Sequence, residues 1–348
     1  MVKTLSAVLA KVICGILLLT VFPGCSLGGG PEPEEVKLLA GAGDWAQLPR
    51  RVASILLKDE LGYTVITREA SADTAWPALA EGEFDIWSDA WYPNQKSHAD
   101  EFVPDQVKVA GDLSDPTTGI YTDADQGWLV PEWTRDTYNI DSLDDIAALE
   151  PGDVLFDALD GDSDGLIDLI GGEVGWGVTE HNDEKIDYYN ENYDLDMKQL
   201  VGTYLGSFDE MLTAIKGKLE AREDVLFYLW TPHHLFAEYV DALCDEDGQI
   251  LWLIDPWGFF FEPEGTDYST GFPGNTIYYA YRTGLESDHP EVVTLLERIR
   301  MTIADLNAYC YWEGIVKDGE ATGEEKDEYV RQWIEDHRAE VDSWLAGL

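Results

Sequence analysis

The chain has 348 residues, of which 45% are hydrophobic, so it is long enough for two lobes that each bury a core. Its 69 acidic residues against 22 basic ones give a formal net charge of -47, which argues against binding nucleic acid or an anionic membrane surface through charge. Because screening lengths shrink to roughly 3 Å at 1 M salt, we interpret this charge as an adaptation to a salt-rich habitat; the alternative is an acidic surface protein from ordinary medium.

The N-terminus has the pattern of an export signal. Two early lysines precede an apolar run over residues 12–21, and Gly24 then stands directly before Cys25. A small residue before a cysteine resembles the lipobox of secreted lipoproteins, whose cysteine is acylated after cleavage. We therefore predict a lipoprotein-type signal peptide over residues 1–24, lipidation of Cys25 and a flexible linker over residues 25–35. The alternative is an uncleaved anchor, although the apolar run is short for a spanning helix.

Strands and helices alternate after the linker. In chain order, apolar runs and helical spacing predict a strand over 36–40, a helix around 52–57, a strand over 63–67, a helix over 74–81 and a strand over 84–87. The first strand and helix are joined by a glycine-rich turn, as in an α/β unit. Alternation of this kind predicts a parallel sheet.

A second set of elements follows. It comprises strands over 127–130, 225–229, 251–254 and 276–281, helices over 142–149 and from Ser207, and two long amphipathic helices over 290–309 and 324–345. The helices at Ser142 and Ser207 each begin with a capping pattern. The run over 225–229 is apolar enough to be buried on both faces.

Three tryptophans stand in loop-forming motifs just after apolar runs. They are Trp91 in Asp-Ala-Trp-Tyr-Pro, Trp176 in Gly-Trp-Gly and Trp230 in Leu-Trp-Thr-Pro-His. Proline and glycine turn the chain outward at these points, whereas core tryptophans follow helical or strand spacing. Ligands of open α/β sheets bind at the carboxyl ends of strands, where Trp91 and Trp230 are predicted to lie. Together the three predict a box of aromatic faces, which is the type of site that binds a quaternary ammonium ion.

An ordered series of short motifs runs from about residue 36 to the C-terminus. The motifs are Leu61-Gly62-Tyr63-Thr64-Val65, Trp91-Tyr92-Pro93, Gly175-Trp176-Gly177, Leu229-Trp230-Thr231-Pro232 and Gly271-Phe272-Pro273. Their order and spacing resemble those of the glycine betaine/proline betaine substrate-binding proteins of ABC transporters. The resemblance implies a two-lobed periplasmic-binding-protein fold of type II, with a mostly parallel sheet flanked by helices in each lobe and the ligand cleft between the lobes.

The resemblance also implies the lobes and the partner. Lobe 1 would comprise residues 36–126 and 255–348, and lobe 2 residues 127–254. The partner would be a membrane permease of an ABC importer, to which the protein delivers its ligand. A disulfide between Cys244 and Cys310 would join the two lobes and restrain their hinge, so we expect none.

The resemblance further suggests how the carboxylate of a betaine is held. In the family the donors are backbone N–H groups just after the middle tryptophan, here those of Gly177 and Val178, and often a histidine four residues after the first tryptophan. That position is Gln95 here. Gln95 can donate a hydrogen bond without adding charge, so the anchor is weaker, or His98 or Arg282 replaces it, or the ligand is not glycine betaine itself.

Two more tryptophans lie near predicted strand ends. Trp45 follows the glycine-rich turn, and we count it among the candidate ligand-binding residues as a further wall of the box. Trp87 falls in phase with its strand, and we interpret it as core.

An acidic segment has the spacing of a calcium loop. Asp160, Asp162, Asp164 and Asp168 occupy its oxygen-bearing positions, and Gly171 stands where a bidentate glutamate belongs. The segment therefore predicts at most a weak structural Ca²⁺ site beneath the Trp176 loop, with a solvated acidic turn as the alternative. No cofactor is required by this interpretation.

The sequence therefore predicts an extracytoplasmic, lipid-anchored binding protein that captures glycine betaine or a related quaternary ammonium osmolyte, and no enzyme. Choline, carnitine, proline betaine and ectoine remain open as ligands. Two alternatives come from other classes of protein: a carbohydrate-active enzyme with a tryptophan-lined cleft, and a surface adhesion protein.

Overall fold

The computed structural model describes residues 34–192, 200–255 and 271–348. The predicted signal peptide and Cys25 lie outside these residues. Within them the chain forms ten strands: β1 (Glu35–Ala40), β2 (Thr64–Glu69), β3 (Ile86–Tyr92), β4 (Val107–Val109), β5 (Tyr121–Ala124), β6 (Gln126–Leu129), β7 (Ile167–Glu173), β8 (Leu200–Leu205), β9 (Leu226–Trp230) and β10 (Asn275–Arg282).

The first sheet has six strands and takes them from both ends of the described chain. Its order is β2-β1-β3-β10-β4, and β5 also pairs with β10. β1 is parallel to β2 and β3, whereas β10 is antiparallel to β3, β4 and β5. The expectation of a mostly parallel sheet is therefore wrong here, because β10 enters from the distant C-terminal part of the chain rather than through a strand-helix-strand unit.

The second sheet has four strands from the middle of the chain, in the order β6-β9-β7-β8. β7 is parallel to both β8 and β9, and β6 is antiparallel to β9. β9 is buried along its whole length, as its continuous apolar run predicts. This strand ends at Trp230, so that indole lies at the carboxyl end of a central strand of the second sheet.

Fifteen α-helices connect and cover the strands in the described residues. They are α1 (Asp44–Asp59), α2 (Ala72–Ala80), α3 (Lys96–Phe102), α4 (Glu132–Tyr138), α5 (Leu143–Ala147), α6 (Val154–Leu159), α7 (Gly177–Asn192), α8 (Phe208–Ala221), α9 (Leu235–Glu238), α10 (Val240–Leu243), α11 (Leu285–Asp288), α12 (Pro290–Leu296), α13 (Ile303–Tyr311), α14 (Gly323–Asp336) and α15 (Arg338–Leu345). Among these residues, no helix combines the length and the apolar character needed to cross a bilayer.

Local sequence signals explain where two of the predicted helices begin. Ser142 and Asp145 form the capping box that starts α5. The Ser207 side chain accepts a hydrogen bond from the Glu210 N–H at the start of α8. Each cap satisfies backbone donors that the first turn of a helix leaves unpaired.

The two long C-terminal helices are each divided, contrary to the prediction. Between α12 and α13 the Met301 N–H bonds to the Ile120 carbonyl in place of a helical partner. Thr302 and Asp305 then form a capping box that starts α13 afresh. α14 ends at Asp336, and His337 separates it from α15. The hydrophobic spacing continues across both breaks, which is why periodicity alone joins the segments.

The strand predicted over 251–254 is also wrong. This segment makes only isolated bridges, from Trp252 to Leu129 and from Ile254 to Ser142. Its apolar side chains pack against the second sheet without extending the ladder of backbone hydrogen bonds. Leu253 is buried whereas Ile254 is exposed, so the apolar run alone indicated neither backbone pairing nor uniform burial.

Cys244 and Cys310 are free thiols in the structure, and both are buried. Cys244 follows α10, and Cys310 lies within α13. Burial raises the pKa of the Cys310 thiol well above its usual value and raises that of Cys244 as well. Both thiols are therefore protonated at neutral pH and poorly nucleophilic.

Candidate ligand-binding site

A cavity of about 280 Å³ is lined by residues from both sheets. Its lining contains all of the candidate ligand-binding residues that the sequence predicts: Trp45, Trp91, Gln95, Trp176, Gly177, Val178 and Trp230. It also contains the glycine-rich turn after β1 and the segment after β2. The structure therefore brings together residues that are separated by almost two hundred positions in the chain.

Trp45, Trp176 and Trp230 form one aromatic cluster in this cavity. Their ring centroids are 4.8 Å apart for Trp45 and Trp230, 5.2 Å for Trp176 and Trp230, and 5.7 Å for Trp45 and Trp176. The planes cross at 83°, 85° and 82°, so the three indoles stand almost mutually perpendicular. Rings in this arrangement pack edge to face, so the three indoles form one continuous aromatic part of the cavity wall.

The backbone around each indole explains its position. Trp45 lies in the first turn of α1, and its ring covers Gly43, where any Cβ would collide with it. Trp176 stands in the turn between β7 and α7, and Trp230 ends β9. Glycine before Trp45 and strand termination before Trp230 are both readable in the sequence. The contact between these two indoles depends on how the two sheets face each other. That arrangement could not be predicted from the local sequence.

Two aromatic residues join the cluster without having been predicted as part of it. The Phe208 ring lies 4.9 Å from that of Trp45, and the Tyr228 ring stacks on Trp230 at 5.7 Å and 27°. Tyr228 also lines the cavity. Phe208 stands at the start of α8 and Tyr228 inside β9, so both carry the sequence signal of core residues.

Trp91 lies in the same cavity but is held differently. It belongs to β3, is buried, and donates its indole N–H to Asp89 Oδ1 over 2.6 Å. Trp87, predicted as core, is buried in β3 and also touches the cavity. The β3 strand thus supplies a carboxylate together with two indoles, and Asp89 is the residue there that the sequence analysis missed.

Gln95 lines the cavity, and its amide is already engaged. Its Oε1 accepts hydrogen bonds from Trp76 Nε1 at 2.8 Å and Trp87 Nε1 at 3.4 Å. Its Nε2 donates to the Asp89 carbonyl at 3.1 Å. These bonds fix the orientation of the Gln95 amide. The amide in turn holds the indoles of Trp76 and Trp87 in place.

The two other candidates for a carboxylate anchor lie away from the cavity lining. His98 pairs with Asp73 at 3.1 Å, and Arg282 pairs with Asp85 and Asp288. The lining itself contains the carboxylates of Glu69, Asp89 and Glu173 and, within the described part of the chain, no lysine, arginine or histidine. Burial raises the pKa of Glu173. The side chains of the cavity therefore favour cations.

Donors for an anion come from the N-terminus of α7. Gly177 and Val178 are its first two residues and both line the cavity. N–H groups in the first turn of a helix have no acceptor within the helix, and the macrodipole favours negative charge there. A Cβ on Gly177 would lie 3.1 Å from the Asn94 carbonyl, so this helix end closes tightly on the first sheet.

Two polar contacts accompany that closure. His181 Nε2 lies 2.7 Å from the Asn94 carbonyl, joining α7 to the segment after β3. His234, which follows β9, places Nδ1 2.7 Å from Asp44 Oδ2 at the start of α1. Both contacts link residues that follow the first sheet with residues that follow the second.

The acidic loop brings together part of the predicted calcium set. Asp160, Asp162 and Asp164 can place one carboxylate oxygen each within 4.8 Å of one another. Asp168 instead accepts hydrogen bonds from the Gly161 N–H and the Thr203 hydroxyl. The Asp160 and Asp164 carboxylates also accept backbone N–H groups of the loop itself. Calcium binding therefore stays a prediction, to be checked by calorimetric titration with CaCl₂.

A two-lobed α/β fold with an aromatic cavity between two sheets defines a class, the substrate-binding proteins of ABC importers. The chain matches the family described as the substrate binding domain of ABC-type glycine betaine transport systems over residues 45–336. The chain belongs to this family, as its motifs predicted.

Individual relatives agree with this assignment. The chain is 25% identical over 296 residues to the glycine betaine-binding periplasmic protein OusX of Dickeya dadantii, covering 82% of each chain. It matches lactococcal OpuAC, solved closed with glycine betaine, at a TM-score of 0.64 and 22% identity over 90% of this chain and 99% of that one. It also matches a choline-binding protein in complex with choline, at a TM-score of 0.67 and 18% identity. That match covers 90% of this chain and 92% of the other. These likenesses confirm the predicted two-lobed fold.

Proposed function

We propose that this protein captures glycine betaine or a related quaternary ammonium osmolyte and presents it to the permease of an ABC importer. The observation that carries the proposal is the perpendicular cluster of Trp45, Trp176 and Trp230 in a cavity with carboxylates. A trimethylammonium group has no N–H donor, so it needs π-electron faces and dry contact with its methyl groups. Family membership supports the same function, and we propose no covalent chemistry.

The energetics of the cluster are sufficient only in combination with other contacts. Desolvated cation–π contacts contribute about 2 kcal/mol each, or roughly 4 to 6 kcal/mol for three that do not fully add. Micromolar affinity needs about 8 kcal/mol. Burial of the methyl groups and hydrogen bonds to the other end of the ligand supply the difference. We propose that the N–H groups of Gly177 and Val178 bind the carboxylate of a betaine.

Titration of intrinsic tryptophan fluorescence tests the proposal directly. Glycine betaine, choline and ectoine are added at high salt to folded protein, and a saturable change is expected with at least one quaternary ammonium compound. The change is expected because the ligand contacts the indoles themselves. Lysine serves as the control, since the cavity offers its hydrated ammonium group too little compensation for lost water. Folded protein that responds to no quaternary ammonium compound contradicts the proposed function.

We propose that the protein acts outside the cytoplasmic membrane, anchored through lipid on Cys25. The apolar run over residues 12–21 and the small residue before Cys25 support this location. The relative OusX of Dickeya dadantii is a periplasmic protein, which agrees with export. Metabolic labelling with a fatty acid, compared between the native chain and Cys25→Ala, tests the anchor; label that persists in the variant rules out Cys25.

We also propose that the net charge of -47 adapts the protein to concentrated salt. Repulsion among the carboxylates destabilises the compact state when the screening length is about 10 Å, and it weakens when that length falls to about 3 Å. Raising NaCl from 0.1 M to 2 M is expected to raise the unfolding midpoint by roughly 5 °C or more, equivalent to about 2 kcal/mol. Differential scanning fluorimetry measures the shift, and an unchanged midpoint contradicts the adaptation.

A further inference from the structure

Asp89 is a buried carboxylate in the wall of the aromatic cavity. It lies in β3, two residues before Trp91, and its exposed fraction is 6%. A carboxylate in such a place is costly to keep ionised, because burial in an apolar site disfavours charge. Core packing alone therefore does not explain why a carboxylate lies beside the indoles.

The groups bound to Asp89 are walls of the site. Its Oδ1 accepts the indole N–H of Trp91 at 2.6 Å, and the Trp45 indole and the Gly41 backbone also lie close enough to the carboxylate to favour its ionised form. A Cβ at Gly41 would collide with Oδ2, so the chain approaches this carboxylate closely only because residue 41 is glycine. One carboxylate thus holds the Trp91 indole by a hydrogen bond and lies beside the Trp45 indole in the cavity wall.

A hydrogen bond from N–H to a carboxylate is charge-assisted and stronger than a neutral one. It places negative charge at the edge of the indole, which increases the electron density that the ring face offers to a cation. We propose that ionised Asp89 is the positioning residue and counter-charge of the aromatic site, orienting Trp45 and Trp91 and strengthening their attraction for a quaternary ammonium ligand. This inference rests on the proposed function.

The other titratable groups around Asp89 are few in the described residues. Tyr121 of β5 is buried, and the charges of Asp89 and Asp44 help raise its pKa well above the usual value, so it stays neutral. The same cavity is lined by Glu69, at the end of β2, and Glu173, at the end of β7. These neighbours are neutral or negative, so the ligand itself is the cation that stabilises the ionised form.

Proton binding supplies the test. Burial raises the pKa of Asp89 to about 6, while the hydrogen bonds from Trp91, Trp45 and Gly41 oppose the rise. A bound permanent cation favours the ionised carboxylate and lowers this pKa, so ligand binding near pH 5.5 releases a proton. By linkage, affinity falls as pH drops through 6, and the expected loss between pH 7.5 and pH 5 is about tenfold.

The experiment is isothermal titration calorimetry with glycine betaine at pH 7.5, 5.5 and 5 in buffers of different ionisation enthalpy. The ligand does not titrate in this range, so proton release reports on the protein. The native chain is expected to release protons at pH 5.5 and to lose affinity at pH 5. Asp89→Asn is expected to bind at least tenfold more weakly at pH 7.5, with no proton release and no pH dependence.

A matched control and a stability measurement separate this role from a structural one. Glu83→Gln removes one exposed charge just before β3 and is expected to bind like the native chain at each pH value. Ligand-free Asp89→Asn is expected to unfold at pH 7.5 at a midpoint no lower than the native one, because it removes a buried charge; a structural carboxylate would give a clear fall.

The outcomes distinguish the two proposals. Native protein that binds glycine betaine without proton release or pH dependence overturns the role of Asp89 and leaves the proposed function standing. Native affinity in Asp89→Asn overturns that role as well. If native, folded protein binds neither glycine betaine nor choline, the proposed function itself fails and the role of Asp89 fails with it. The absence of proton release is measured on the native chain, so that outcome overturns the role even if the variant does not fold.

Discussion

Replacing Trp230 with alanine is expected to weaken binding of glycine betaine at least tenfold. Its ring contacts those of Trp45 and Trp176 at 4.8 Å and 5.2 Å, so it is the member of the cluster that lies nearest to both others. The substitution would remove one proposed cation–π contact of about 2 kcal/mol and open the aromatic wall to water. Fluorescence titration and calorimetry of the purified variant measure the loss.

The control for this prediction is another tryptophan of the middle part of the chain. Trp133 lies in α4, packs against the Arg222 guanidinium and does not line the cavity. Trp133→Ala is expected to bind with native affinity. Since a buried Trp→Ala change also costs about 3 to 5 kcal/mol of stability, circular dichroism must show that each variant is folded. If the Trp230→Ala variant is folded and binds with native affinity, Trp230 does not contribute to ligand binding.

Replacing Lys185 with methionine is expected to lower the free energy of unfolding by about 3 to 5 kcal/mol. The Lys185 Nζ lies 3.1 Å from Asp255 Oδ2, and both side chains are essentially inaccessible to solvent. Its ammonium also faces the rings of Trp128 at 4.8 Å and Phe272 at 4.3 Å. Methionine fills a similar volume but removes the positive charge that faces the buried Asp255 carboxylate. Urea unfolding monitored by circular dichroism measures the difference.

A surface ion pair provides the comparison. Lys218 Nζ lies 2.7 Å from Glu223 Oε2 on partly exposed side chains. Lys218→Met is expected to change the free energy of unfolding by less than about 1 kcal/mol, because solvent screens an exposed pair. An equal fall in the free energy of unfolding in the two variants would show that the buried ion pair of Lys185 stabilises the fold no more than a surface pair does.

The placement of the main indoles could be predicted from the sequence. Turn residues around Trp176 and Trp230, and the apolar run before Trp230, indicated positions at strand ends. Trp45 was predicted as a further wall from the glycine-rich turn alone, and the structure places it in contact with both others. Local chemistry fixes such positions, because a turn or a strand end is decided by neighbouring residues.

Other parts of the site could not be predicted in this way. Asp89 is one of 69 acidic residues, and nothing in its immediate sequence distinguishes a buried carboxylate from a solvated one. The hydrogen bonds that engage Gln95 come from Trp76 and Trp87, whose side chains point at it only after the first sheet and α2 have packed. The break between α12 and α13 has the same cause, since the Met301 N–H bonds to the distant Ile120 carbonyl there.

The chain origins of the three clustered indoles predict how the proposed ligand would leave. Trp45 follows β1 of the first sheet, whereas Trp176 follows β7 and Trp230 ends β9 of the second. Separation of the two sheets would therefore take one wall away from the other two and expose a bound ammonium group to water. A permease that pulls the lobes apart would lower the affinity without competing for the ligand. Release into the transport channel would then be driven by dismantling the site, and the residence time would be set by how long the lobes stay together.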